Sequence, residues 1–424
     1  MNRQTFTDPI RFVWHAARYA LTGGIVYYLW LGLLISLAVW GGMAYKDQLA
    51  DGLIATNMRD QVSWAFYIGN FTFLVGVAAA AIILIIPAYI YNWKPIKEVA
   101  IMGEVLAISA LVMCMLFVFV DLGRPDRFWH LIPGVGKLNW PQSLLAWDVV
   151  VLNLYFLVNL VIVVHLLYCT YQKRHYNKWL VYPLVLLSIP MAISIHTVTA
   201  FIYNGMAARP FWNSSILAPR FLASAMCSGP AILLILFQLL QRTARFEIKN
   251  EALWKIAEIM AYAMFINLFL LGAEVFKEMY SKTEHLVYFN YLFVGIGEHK
   301  AIVPYGWSAV ICSVLAFLLF IIPTTRRHPV TLNLGCLLIY LGVYIEKGMG
   351  LVIPGLTPDT LGEIYEYAPS MVEVRIGVAI FSIGFLVYTL LTKVAIAITT
   401  GEFSRDTVGA GSEIAVRAAE KPNS

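Results

Sequence analysis

The chain has 424 residues, of which 60% are hydrophobic and only 13% charged, with a mean hydropathy of +0.73 and a formal net charge of +5. A composition this apolar excludes an ordinary soluble core, and the small positive balance fits contact with anionic lipid while giving no sign of nucleic-acid binding. The sequence describes an all-α integral membrane protein.

Apolar runs of about 20 residues cross the hydrocarbon layer. They predict ten spans, near 21–45, 66–91, 99–120, 144–168, 179–203, 219–240, 256–276, 303–322, 332–344 and 372–399. Basic residues precede the first span and no small-residue cleavage site follows it, so it reads as a retained anchor. Residues 1–400 then form one polytopic domain, and the polar stretch 401–424 a disordered cytoplasmic tail. The segments Ala79–Ile85 and Gly229–Ile235 are similar, and each is followed by a basic loop and a span ending in an acid. That repeat predicts two parallel four-helix bundles, spans two to five and six to nine, with spans one and ten peripheral.

Lys and Arg divide into about 18 on the side of the chain ends and about 12 opposite, which places both termini in the cytoplasm of a multi-pass inner-membrane protein. The opposite, outer loops are longer and richer in acids, aromatics, Gly and Pro, where function usually resides. One of them, Asp121-Leu-Gly-Arg-Pro-Asp-Arg-Phe-Trp129, sets four charges against a membrane boundary. Charges near hydrocarbon pair with each other, a ligand or a partner protein. The alternative is an interfacial anchor, with Arg124 and Arg127 at headgroups and Phe128 and Trp129 in the aromatic belt.

Cys114, Cys169, Cys227, Cys312 and Cys336 stand singly, without the clustered thiolates that an iron–sulphur centre needs. Of the histidines, only His165 and His196 fall within spans, at opposite depths, so they make no axial pair for haem. The protein is therefore expected to bind no metal, haem or iron–sulphur cluster of its own. What remains inside the layer is polar residues at helical spacing. Asp148, Tyr155 and Asn159 share one face of span four, and His196, Thr199 and Tyr203 one face of span five. Asn267, Glu274 and Glu278 share a face of span seven beside Lys277; Tyr340, Tyr344 and Lys347 lie on span nine beside Glu346. Glu104 stands near the inner end of span three. Such stripes are either interhelical glue or proton-handling groups.

Several strings together resemble the NrfD/PsrC family of polysulfide-reductase membrane subunits: Trp64-Ala-Phe-Tyr-Ile-Gly-Asn70, the Asp121–Trp129 loop, Ala208-Arg-Pro-Phe-Trp-Asn213, Ser228-Gly-Pro, Tyr291-Leu-Phe, Ile345-Glu-Lys-Gly-Met-Gly350 with Ile353-Pro-Gly355, and Leu361-Gly-Glu-Ile-Tyr-Glu-Tyr367. Ten spans and the Glu346-Lys347-Gly348 segment look most like its DsrP-type branch of dissimilatory sulphur metabolism. The resemblance implies a menaquinone site near the outer face. It also implies a docked periplasmic iron–sulphur subunit, a c-type cytochrome and further membrane or cytoplasmic redox subunits, making the protein one component of a quinone-linked oxidoreductase. Quinone carbonyls need donors in an apolar slot. Arg124, Tyr203, Arg209 and His196 are the candidate donors, with Asp121 beside them, Asp148 as proton acceptor or donor, and Glu274 and Glu278 as a proton relay. A structural anchor without a quinone site, and a secondary transporter, remain as alternatives.

The span count is checked by reporter fusions at Lys173 and Gly134, which should report opposite sides of the membrane. The same side for both would remove a span between them.

Overall fold

The computed structural model describes residues 3–404 apart from 133 and 245, so residues 405–424 of the expected tail lie outside the described residues. Twelve helices organise the fold: α1 (Arg3–Leu21), α2 (Ile25–Asp51), α3 (Phe66–Ile90), α4 (Ala100–Asp121), α5 (Leu144–Tyr171), α6 (Lys178–Asn204), α7 (Leu217–Thr243), α8 (Asn250–Ser281), α9 (His285–Phe293), α10 (Val303–Ile321), α11 (Pro329–Leu356) and α12 (Met371–Thr399). All but α1 and α9 are long and apolar enough to cross a membrane. Both described ends therefore lie on one side, called proximal below; the long loops lie on the distal side.

Two elements depart from the sequence reading. The first apolar run is cut at Gly23-Gly24, where chain flexibility and missing side chains end one helix before the next begins. α1 is a separate helix that buries Phe12 against Tyr168 and Tyr171 and leaves Ile10, Val13 and Trp14 exposed, the pattern of a helix lying in the membrane interface. The ninth span is longer than its apolar run. It continues through Glu346 and Lys347, breaks at Gly348, and resumes over Met349–Leu356.

α3, α4, α5 and α6 pack in one ring, and α7, α8, α10 and α11 in a second. Helices α2 and α12 pair with each other beside the first ring, with α12 against α4. The seam between the rings runs along α3 and α7. α3 is apolar all round and the most enclosed span, at 78% buried against 17% for α2, which makes it the axis of the molecule. Along that seam the two similar segments of the sequence meet: a Cβ built on Gly229 would stand 2.6 Å from Ala80 Cβ. Close backbone approach of this kind is the membrane use of small residues.

Gly229→Leu should therefore cost about 1–3 kcal/mol or more through overpacking. In detergent its thermal midpoint should fall, whereas Gly32→Ala, whose Cβ meets nothing within 4 Å, should match or exceed the parent. Equal midpoints for Gly229→Leu and the parent would show that the seam is loosely packed.

Candidate functional site

At the distal end of the first ring, α2 runs past its apolar stretch to Asp51 and carries Tyr45 and Gln48 inward. Gln48 Nε2 donates to the carbonyl of Val120 at 2.7 Å, and its Oε1 accepts from the Tyr67 hydroxyl at 2.6 Å. One amide thus ties α2, α3 and α4 together. Beside it lies a cavity of about 270 Å³ walled by Tyr45, Gln48, Gly52, Leu53 and the loop from Leu122 to Asp126. The Tyr45 hydroxyl and Asp121 Oδ1 are both shielded from solvent without a hydrogen-bond partner. Tyr45 lines this cavity and Asp121 precedes its lining residue Leu122, so a donor and an acceptor are left open beside it, as a small polar ring requires.

The four loop charges divide. Arg124 grips Asp126 through two hydrogen bonds, Nε to Oδ1 at 3.0 Å and Nη2 to Oδ2 at 2.9 Å. That contact holds the Asp126 carboxyl below its ordinary range. Asp121 takes no part in the pair, and its Oδ1 is shielded from solvent. Phe128 and Trp129 are exposed, so the loop also carries the aromatic surface of an interfacial anchor.

Deeper in the same ring, Asp148 accepts from Thr199 Oγ1 at 2.9 Å, and the Tyr203 hydroxyl lies 2.5 Å from Thr72 Oγ1. Tyr203 and Asp148 are thus each satisfied by a threonine, and neither bonds to Asp121. Tyr203 also meets Trp64 and Trp212 edge-on. Trp212 Nε1 donates to Leu351 O at 2.9 Å and Arg209 Nη1 to Leu356 O at 3.1 Å. Arg209 therefore caps carbonyls of the resumed helix after Gly348. His196 is fully buried, its Nδ1 at 2.9 Å from Ala192 O and its Nε2 without a partner; donation from Nδ1 leaves Nε2 as a free acceptor. On the proximal side, Glu104 is wholly buried with both oxygens unpartnered, within electrostatic reach of Tyr89 and Tyr155.

Glu274 and Glu278 belong to the second ring. Arg220 of α7 pairs with Glu274 of α8 and, at 2.6 Å, with Glu346 of α11, and Asn267 Nδ2 donates to Glu346 at 3.1 Å. Lys347 is buried beside this cluster; its Nζ donates to Phe221 O at 2.6 Å and lies 4.8 Å from the Phe221 ring centre. Glu278 meets Lys277 at 3.1 Å, His285 at 3.6 Å and the Thr283 hydroxyl at 2.9 Å, fastening α8 to α9. Arg220, Gln48, Tyr45 and Glu373 escape a sequence reading because each stands at a span boundary, where polar residues are ordinary. Among the described residues, no three His, Cys, Asp or Glu side chains gather as a metal site would require.

Comparison with known proteins agrees across most of the sequence. The family described as polysulphide reductase, NrfD, matches residues 55–357. A putative dimethyl sulfoxide reductase membrane subunit of Halobacterium salinarum is 26% identical over 401 residues, covering 84% of this protein and 88% of that one. The menaquinone reductase integral membrane subunit of Nitratidesulfovibrio vulgaris is 21% identical over 390 residues, 85% and 90% of the two proteins. A polysulfide reductase subunit of Wolinella succinogenes is 26% identical over 188 residues, 40% and 56%.

The two arginines should behave oppositely in thermal unfolding. Arg220→Ala leaves two enclosed carboxylates without their cation and should cost about 3–5 kcal/mol, whereas Arg124→Ala removes only a solvent-exposed pair and should leave the midpoint unchanged. The reverse ranking would mean that the charges of α7, α8 and α11 are hydrated.

Proposed function

Because the chain belongs to the polysulphide reductase NrfD family, we propose that it is the quinone-interacting membrane subunit of a respiratory reductase complex. In this reading it exchanges electrons between menaquinone or menaquinol and an iron–sulphur subunit docked on the distal, outward face. The relatives named for menaquinone and polysulfide support the chemistry. For the far side of the reaction we take sulphur compounds, in keeping with the DsrP-like strings.

The observation that carries the reading is the pair of unpartnered oxygens, Tyr45 Oη and Asp121 Oδ1, beside the cavity between α2 and the Leu122–Asp126 loop. A bound quinone supplies a two-electron, two-proton couple. The protein's own groups would hold it: the Tyr45 hydroxyl could donate to a ring carbonyl, and the Asp121 carboxylate could accept from a ring hydroxyl. Asp148 and Tyr203, buried in the same ring, are the further groups of this reading that could handle protons. Arg124, at the cavity rim and paired with Asp126, adds an exposed charged group to the face that would meet the partner subunit. Electrons would pass to that partner, for which the charged distal loops offer a docking surface.

Glu274 and Glu278, held by Arg220 and Lys277, are clamps of the second ring, and the relay role is the second reading for them. The transporter alternative expects a helix broken to line a substrate path. The segment that follows the break at Gly348 is instead buried and fastened by Trp212 and Arg209 to the loop between α6 and α7.

Tyr45→Phe removes one neutral hydrogen bond, so in the assembled complex kcat/KM for menaquinol should fall by about 2- to 10-fold. Asp121→Asn, which abolishes titration at nearly constant size, should lower it further. Subunit composition is checked on the same samples. Unchanged kinetics in both fully assembled variants would return the protein to the role of a structural anchor.

A further inference from the structure

The second ring carries a cavity that the reading above does not use. Between α8, α9 and α10 an apolar groove of about 690 Å³ opens on the outer surface of the bundle, with Gly272 of α8 on one wall and Phe289, Phe293 and Trp307 on the other. Two polar side chains, Lys282 and Asn290, join its lining. Behind it, sharing Leu271, Phe289 and Phe293, lies a smaller chamber that ends on Arg220 and Glu346.

We propose that this groove is a second quinone-type site, taking a flat, uncharged aromatic head with hydrogen-bonding oxygens and an isoprenoid tail. The wall is already fixed. Phe289 and Phe293 stack at 6.2 Å and 22°, Phe293 meets Trp307 edge-on at 5.7 Å, and Trp307 Nε1 donates to Phe293 O at 2.9 Å. Preset aromatic faces favour a planar ring over an acyl chain, because no side chain must be ordered on binding. At one end of the groove Lys282 and Asn290 offer donors to a ring oxygen. At the other, the chamber of about 50 Å³ has room for a few waters at roughly 10–15 Å³ each, linking the ring to Glu346. Arg220 and Lys347 balance Glu274 and Glu346 there, and Arg220 Nε and Asn267 Oδ1 remain unpartnered beside them. A neutral head with oxygen donors and acceptors suits that charge-balanced floor.

The test uses a photoreactive azido-naphthoquinone with an isoprenoid tail, applied to the purified complex containing the whole protein, with labelled peptides mapped. Label should appear in the segments around Asn290 and Val310. Gly272→Phe, whose added side chain enters the groove without meeting the protein within 4 Å of its Cβ, should reduce that label at least fivefold, and Asn290→Leu should reduce it measurably. Tyr45→Phe should leave this label intact while weakening label near α2, so that failure of either site is distinguishable from failure of the other. Persistence of the groove label in Gly272→Phe would overturn the proposal. So would its displacement by excess phosphatidylglycerol but not by unlabelled menaquinone, which would make the groove a lipid site.

Discussion

Arg220 is the charge on which the second half of the molecule depends. It starts on α7, answers Glu274 on α8 and Glu346 on α11, and so draws three helices of one ring to a single point well inside the protein. An ion in that position is tolerated only because two carboxylates and the amide of Asn267 meet it. Once Glu346 is held, Lys347 is carried across the seam. A Cβ at Gly76 of α3 would stand 3.4 Å from its Nζ, so the cation of α11 lies close against the bare backbone of α3. The helix breaks at Gly348, and farther along the resumed turn Trp212 and Arg209, from the loop between α6 and α7, take the carbonyls of Leu351 and Leu356.

The first ring solves the same problem with neutral groups. Gln48 bridges α2, α3 and α4, Thr199 satisfies Asp148, and Thr72 satisfies Tyr203. Two oxygens, on Tyr45 and Asp121, are left over at a cavity. Buried polar groups are rarely left unmade without cost, which is why that pair marks the site more sharply than the conspicuous charges of the loop beside it. Nearby, Glu373 fixes the start of α12 through a capping box with Ser370, and it also accepts from the backbone N–H of Asn57. The distal loops are thereby anchored to the helix ends that form the cavity.

Much of this was legible in the sequence. Hydropathy placed all ten spans, and helical spacing identified which polar residues face inward: Asp148, Tyr155 and Asn159, then His196, Thr199 and Tyr203, then Asn267, Glu274 and Glu278 are all buried. The failures share one cause. Glu346 and Lys347 read as the end of a span because their partners, Arg220 and the Phe221 carbonyl, lie more than a hundred residues away. Arg220 itself sits one residue after Pro219 at a helix start, where a cation looks like an anchor. Tyr45 and Gln48 fall beside Lys46 and Asp47, so the apolar run stops before α2 does; only the spacing of Gly41, Ala44 and Gln48, all buried, shows that the helix goes on. Long-range pairing decides each case, and periodicity carries no information about it.

A density map of the assembled complex with menaquinone bound, at a resolution that orients the ring, tests the central claim most directly. The account predicts a ring between α2 and the Leu122–Asp126 loop, with one oxygen at hydrogen-bonding distance from the Tyr45 hydroxyl and the other from Asp121, facing the docked partner subunit. A ring bound only elsewhere, with Tyr45 and Asp121 bonded to each other or to ordered water, would contradict it.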